Sequence, residues 1–184
     1  MLSNLTGCVM LTEVKSSRPT PTPTLTHVIP SQGGAAVCAV TSLGDDVFVV
    51  RDNSQQQVEV YDAETLTLQR HITVHGLGRS YGSVACPNNN CLYASDLNAD
   101  NIHRVELSGS NAVKKWFVAS LPAGLSVNIA HNLVVACQGA NKLQEYTTHG
   151  SHVCSQVCPT HGMLSSCPLV TMWSVRTCCQ VWSV

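Results

Sequence analysis

Cysteines and histidines crowd one stretch of this 184-residue chain: His149, His152, Cys154, Cys158 and His161 are the residue types that bind zinc. Imidazole and thiolate at such short intervals could close a tetrahedral site, but the spacings match no standard zinc pattern, so no metal and no cofactor is assigned. Covalent catalysis finds no footing either. There is no Gly-x-Ser-x-Gly elbow and no phosphate-cradling glycine loop, and no catalytic residue is assigned. Arg79 and Tyr81 are the best binding candidates, because they sit in the glycine-rich run Gly76–Gly82 between two strand-rich segments, where a loop would display them. Tyr81 is read first as a packing residue beneath that loop and second as a ligand contact. His71 and His75 lie on a strand and at its end and need not converge. Asp96 follows an apolar strand and is expected to accept amides of its own turn; Asp52 and Cys137 hold the same place in the neighbouring copies. Asp45, Asp46 and Asp100 fall in polar turns, where solvated charge is expected.

What must position these residues is a block repeated three times. Val47–Tyr61, Cys91–Val105 and Asn132–Tyr146 align without gaps. Each begins with an apolar run such as Val47-Phe48-Val49-Val50, crosses a polar stretch, and ends in an alternating strand such as Ile102-His103-Arg104-Val105. A period of about 40–50 residues built from short strands marks propeller blades. The expected class is all-β: a partial β-propeller of about three four-stranded antiparallel blades over residues 37–150. The first blade should place strands near Val37–Val40, Val47–Val50, Val58–Tyr61 and Gln69–Val74, and the second near Ser83–Ala85, Leu92–Ser95, Ile102–Leu107 and Lys115–Ala119. Residues 1–36 form an irregular segment with the Pro/Thr linker Arg18–Thr24, and Leu25–Ile29 reads as an outer strand of a preceding blade.

Residues 151–184 read as an irregular tail that loses the period. They hold Cys154, Cys158, Cys167, Cys178 and Cys179 and a single formally charged residue, Arg176. Back-translated and read one nucleotide earlier, Ser155–Val175 can encode a Pro-led strand, a Thr-Gly-Asp turn and a second strand, so a frame change near His149–Ser155 is expected. Cys86 and Cys91 flank Pro87-Asn88-Asn89-Asn90 and could face each other across a hairpin; without an oxidising compartment they are read as free thiols.

Composition narrows the function. Hydrophobic residues make up 44% and charged residues 11%, as in a folded strand-rich protein, and ten basic against eleven acidic residues leave a net charge of −1, without the basic footprint that binding a phosphate backbone requires. Neither a bilayer-spanning run nor a secretory signal is recognised, so no membrane and no nucleic-acid partner is expected and a cytoplasmic location is favoured. Asn4-Leu5-Thr6 is treated as a chance glycosylation tripeptide.

Pro122-Ala123-Gly124-Leu125-Ser126-Val127 followed by His131–Ala136 resembles the NHL repeat. Leu92-Tyr93-Ala94-Ser95-Asp96 with Asn101–Val105 is similar to NHL and YVTN-type blades, and to the extracellular YWTD blade save that Ala94 replaces its tryptophan. The resemblance covers residues 37–150 and implies a six-bladed, TolB-like propeller, of which three blades are about half, since a ring needs roughly 240–270 residues. It implies a non-enzymatic scaffold for a protein partner. Open blade edges would also favour self-association. Two alternatives stay open: a fragment of a lactonase-like hydrolase or lyase with an axial metal, for which Ala39/Val40, Ser83/Val84 and Leu125/Ser126 offer no ligands, and a YWTD-like receptor fragment.

Overall fold

The structure is a computed structural model and describes residues 28–29, 35–52 and 56–157. Twelve strands among them form three four-stranded antiparallel sheets, each a sequential meander. The first blade holds β1 (Val37–Leu43), β2 (Asp46–Arg51), β3 (Gln57–Asp62) and β4 (Leu68–Thr73). The second holds β5 (Ser83–Cys86), β6 (Cys91–Asp96), β7 (Asn101–Glu106) and β8 (Val113–Phe117). The third holds β9 (Pro122–Val127), β10 (Leu133–Cys137), β11 (Lys142–Tyr146) and β12 (His152–Val157). The chain is a partial β-propeller, as the repeat predicts.

The first strand of each blade is innermost, since β5 touches both β1 and β9. Blade faces, apolar on both sides, supply the core. Phe48, Val50, Val58, Val60 and Ile72 meet Leu77, Leu92, Ala94 and Val105 between the first two blades. Cys86, Cys91, Tyr93 and Ile102 meet Leu133, Val135, Cys137 and Tyr146 between the second and third. Ile29 packs on the outer face of the first blade against Val47, Val49 and Tyr61. Each β2–β3-type turn ends in a non-glycine residue with positive φ: Gln56 at 53°, Asp100 at 52° and Asn141 at 49°. That conformation costs an L-residue roughly 1–2 kcal/mol. Two of these side chains anchor the next crossover, Gln56 Oε1 accepting the Gly76 amide and Asp100 Oδ1 the Leu121 amide, both at 2.7 Å.

Two expectations are corrected. The ungapped alignment fails by one residue: Val49 lies opposite Glu59, whereas Ala94 lies opposite His103 and Val135 opposite Gln144. The turn after β2 carries one residue more than the turns after β6 and β10, so the counterpart of Asp96 and Cys137 is Arg51, not Asp52. The third blade also runs past the boundary expected at residue 150, because β12 pairs with β11 from Lys142↔Val157 to Tyr146↔His152. The Pro/Thr linker and residues 158–184, with the proposed frame change's reading of them, lie outside the described residues.

Candidate functional site

The crossover from β4 to β5 has to satisfy its backbone without a strand partner, and it does so on the end of β6. Gly78 N donates to Asp96 Oδ2 at 3.0 Å, Leu97 N to Arg79 O at 2.8 Å, and Gly82 N to Ser95 Oγ at 3.0 Å; Ser95 N returns a bond to Gly82 O at 2.9 Å. Tyr81 N also reaches Ser95 Oγ, at 3.3 Å. A Cβ at Gly78 would come 2.8 Å from Asp96 Oδ1, which fixes glycine there. Leu77 seals the underside in the first junction's core.

Pinned in this way, the crossover turns Arg79 and Tyr81 to the surface together. The Arg79 guanidinium carbon stands 4.8 Å from the Tyr81 ring centroid, and Nε is 3.3 Å from Asp52 Oδ2. Roughly half of the Arg79 side chain remains exposed. A guanidinium held over an aromatic ring beside a carboxylate is an amphipathic recognition surface that loses little side-chain entropy on binding. Sequence reasoning named Arg79 and Tyr81; Asp52 joins them only through the extra residue in its turn.

Behind this surface lies a buried polar pair repeated in each blade. In the first, Arg51 Nε sits 2.9 Å from both Glu59 carboxylate oxygens, and the Tyr61 hydroxyl donates to Glu59 Oε2 at 2.8 Å. In the third, Cys137 Sγ and the Tyr146 hydroxyl both donate to Gln144 Oε1, at 3.3 and 3.0 Å, and burial pushes the Cys137 thiol up to about 11. In the second, His103 Nε2 lies 3.5 Å from Asp96 Oδ2, both side chains shielded from solvent. Val105 occupies the place of the two tyrosines, so no hydroxyl serves His103, and neither ring nitrogen has a hydrogen-bond partner among the described residues. Burial lowers the His103 pKa despite the pull of Asp96 and keeps the ring neutral. Asp96 also caps its turn as expected, Oδ1 accepting the Asn98 and Ala99 amides. His103 was missed as a special position; the signal was a polar residue at the same place in all three third strands.

The other candidates disperse. His152 packs edge-on against Tyr146 at 5.5 Å and Cys154 donates to Glu145 Oε2 at 3.4 Å, so adjacent partners draw them to opposite faces of β12. His149 is exposed, and Cys158 and His161 lie outside the described residues. No three His, Cys, Asp or Glu side chains among the described residues are grouped to hold a metal. Cys86 and Cys91 are directly opposed, buried and unbridged around a 3-10 turn at Pro87–Asn89. Asp46 pairs with Arg70 at 3.2 Å. No described helix is long and apolar enough to cross a membrane.

The chain matches no protein-family model and no curated protein. Its fold is similar to hydrazine synthase of Kuenenia stuttgartiensis, with 22% identity and a TM-score of 0.61 over 74% of this chain and 39% of that one. A catalytically inactive virginiamycin B lyase of Staphylococcus aureus, with quinupristin, is 16% identical with a TM-score of 0.60, over 73% of this chain and 45% of the lyase. A protein of unknown function from Bacteroides caccae is 10% identical with a TM-score of 0.55, over 73% and 50%. The chain thus spans half or less of each of these structures. At such identities the likeness establishes the propeller-type fold.

Proposed function

We propose that the chain is part of a non-enzymatic propeller scaffold of the NHL or YVTN type, six-bladed when whole, whose crossover face binds a protein partner through Arg79, Tyr81 and Asp52. One observation carries this reading: that stack is held rigidly on a pinned backbone yet stays half-exposed. Exposed Arg and Tyr with fixed rotamers are the side chains that anchor protein interfaces. The balanced charge supports a protein rather than a nucleic acid as partner, and a cytoplasmic location goes with it. The innermost strands β1, β5 and β9 carry no carboxylate or imidazole, the side chains an axial metal site would use.

A second reading, a fragment of a propeller lyase or hydrolase, draws on the lyase and the synthase among the structural neighbours. It places the reacting groups on blades beyond the described residues. Crosslinking and affinity capture with the wild-type chain and an Arg79→Ala/Tyr81→Ala variant separates the two. The scaffold reading expects a defined partner that the variant loses; an identical captured set with both proteins overturns it.

A further inference from the structure

Outer strands of neighbouring blades splay apart, and the wedge between them must be filled by side chains or left open. Between β8 and β12 it is filled. Trp116 stands 6.1 Å from Tyr93 and 6.4 Å from Tyr146, ring centroid to centroid, and Tyr146 continues the stack to His152. A Cβ at Gly150 would lie 2.6 Å from the indole, so the turn there closes directly on the ring. The residue of the first blade at the position of Trp116 is Ile72, as the pairings Ile72↔Val58 and Trp116↔Ile102 show. A smaller side chain leaves the wedge between β4 and β8 as a groove of about 620 Å³.

The lining of that groove is one-sided in charge. Lys115 supplies an ammonium, His75 an imidazole, Ser110 a hydroxyl and Asn111 an amide, with Val113 as the apolar wall. β4 borders the groove at His71–Thr73, where the side chains of His71 and Thr73, paired with Glu59 and Gln57, lie on the face of the blade opposite Ile72. No carboxylate lines it, in a chain whose net charge is −1. Lys115 Nζ lies over Gly76, beside His75: a Cβ added at Gly76 would be 3.7 Å from it. The side chains of Lys115 and His75 make no ion pair or hydrogen bond with a described residue. Cation and hydrogen-bond donors converge on a space of the size that small ligands occupy, with an apolar wall.

We propose that this groove is a binding site for a small organic oxyanion, with its phosphate or carboxylate against Lys115 and His75, hydrogen bonds from Ser110 and Asn111, and its apolar part on Val113. The site lies on the rim between the first two blades and does not depend on the partner proposed for Arg79 and Tyr81. Titration with phenyl phosphate and, separately, benzoate, followed by calorimetry and backbone amide shifts at constant ionic strength, tests it. Saturable binding of at least one probe is expected, with shifts at Ser110, Asn111 and Lys115; the stronger probe names the oxyanion. Lys115→Ala and His75→Ala should each weaken it about tenfold, as loss of one charge-assisted contact does. Both residues are exposed, so melting temperatures should stay at the wild-type value, and Lys142→Ala on the third blade should bind as wild type. Absence of saturable binding by either probe, wild-type affinity in both groove variants, or equal weakening by Lys142→Ala overturns the proposal.

Discussion

The two blade junctions share a backbone plan and differ in chemistry. Between the first and second blades the core is aliphatic with one phenylalanine, its polar pair is Asp96 with His103, and its rim carries a groove beside β4 and β8. Between the second and third it is aromatic and thiol-rich, its pair is Cys137 with Gln144, and Trp116 plugs the rim. Strand pairing fixes where a buried polar side chain must sit, and that side chain needs only some partner across the diagonal. The ion pair of the first blade and the thiol with an amide of the third meet that need with hydrogen bonds, whereas the carboxylate and neutral imidazole of the second only approach each other at 3.5 Å and leave the ring nitrogens without a hydrogen-bond partner among the described residues.

Removing Asp96 should break the comparison hardest. Asp96→Ala strands the amides of Gly78, Asn98 and Ala99 and leaves His103 alone in the interior, for a loss of about 3–5 kcal/mol in urea unfolding. A loss no greater than that of Cys137→Ala would show the two pairs to be equivalent. Trp116→Ala should cost about 2–4 kcal/mol, less than a fully buried aromatic would, because its rim edge is exposed. The same variant should open a second groove, read as new water contacts to Tyr146 in fluorescence quenching.

Acidification separates the junctions by a different route. The folded state holds His103 neutral below its ordinary value of 6.5, so the unfolded chain binds the proton first. Stability is full above about pH 6.5 and falls beneath it, by at most about 1.4 kcal/mol per pH unit for this one group. His103→Gln, which gives the second blade the residue of the third, should flatten that slope between pH 6.5 and 5. Thermal melts across the range decide it, and an unchanged slope assigns the acid sensitivity elsewhere.

Cys137→Ala should cost about 1 kcal/mol, since Gln144 keeps its bonds from Tyr146 and Ala119. Arg79→Ala should shift stability by less than about 0.5 kcal/mol, because its ion pair with Asp52 is a surface one. A larger shift would make the stack a structural clasp instead of a displayed surface.

Most strands were legible because their apolar runs and turn residues recur. The register was not. Val47-Phe48-Val49-Val50 is apolar on both faces, so a one-residue slip leaves no trace in its pattern, and only the opposition of Val49 to Glu59 reveals it. The strand His152–Val157 escaped for the opposite reason: as an outer strand it is largely solvated and carries no sustained apolar face. Arg79 and Tyr81 were readable as loop residues between blades, and their mutual stacking was not, because it needs Asp96 and Ser95 to hold the loop down.

By itself, then, the sequence determined the repeat, the all-β class and the crossover that displays Arg79 and Tyr81, because these follow from local hydrophobic pattern and glycine placement. Only the tertiary structure decided which polar residues face each other inside a junction, and that His75 and Lys115 share one groove. Those pairings join residues on different strands or different blades, and whether the space between them is filled depends on the size of a single side chain, isoleucine in one blade and tryptophan in the next.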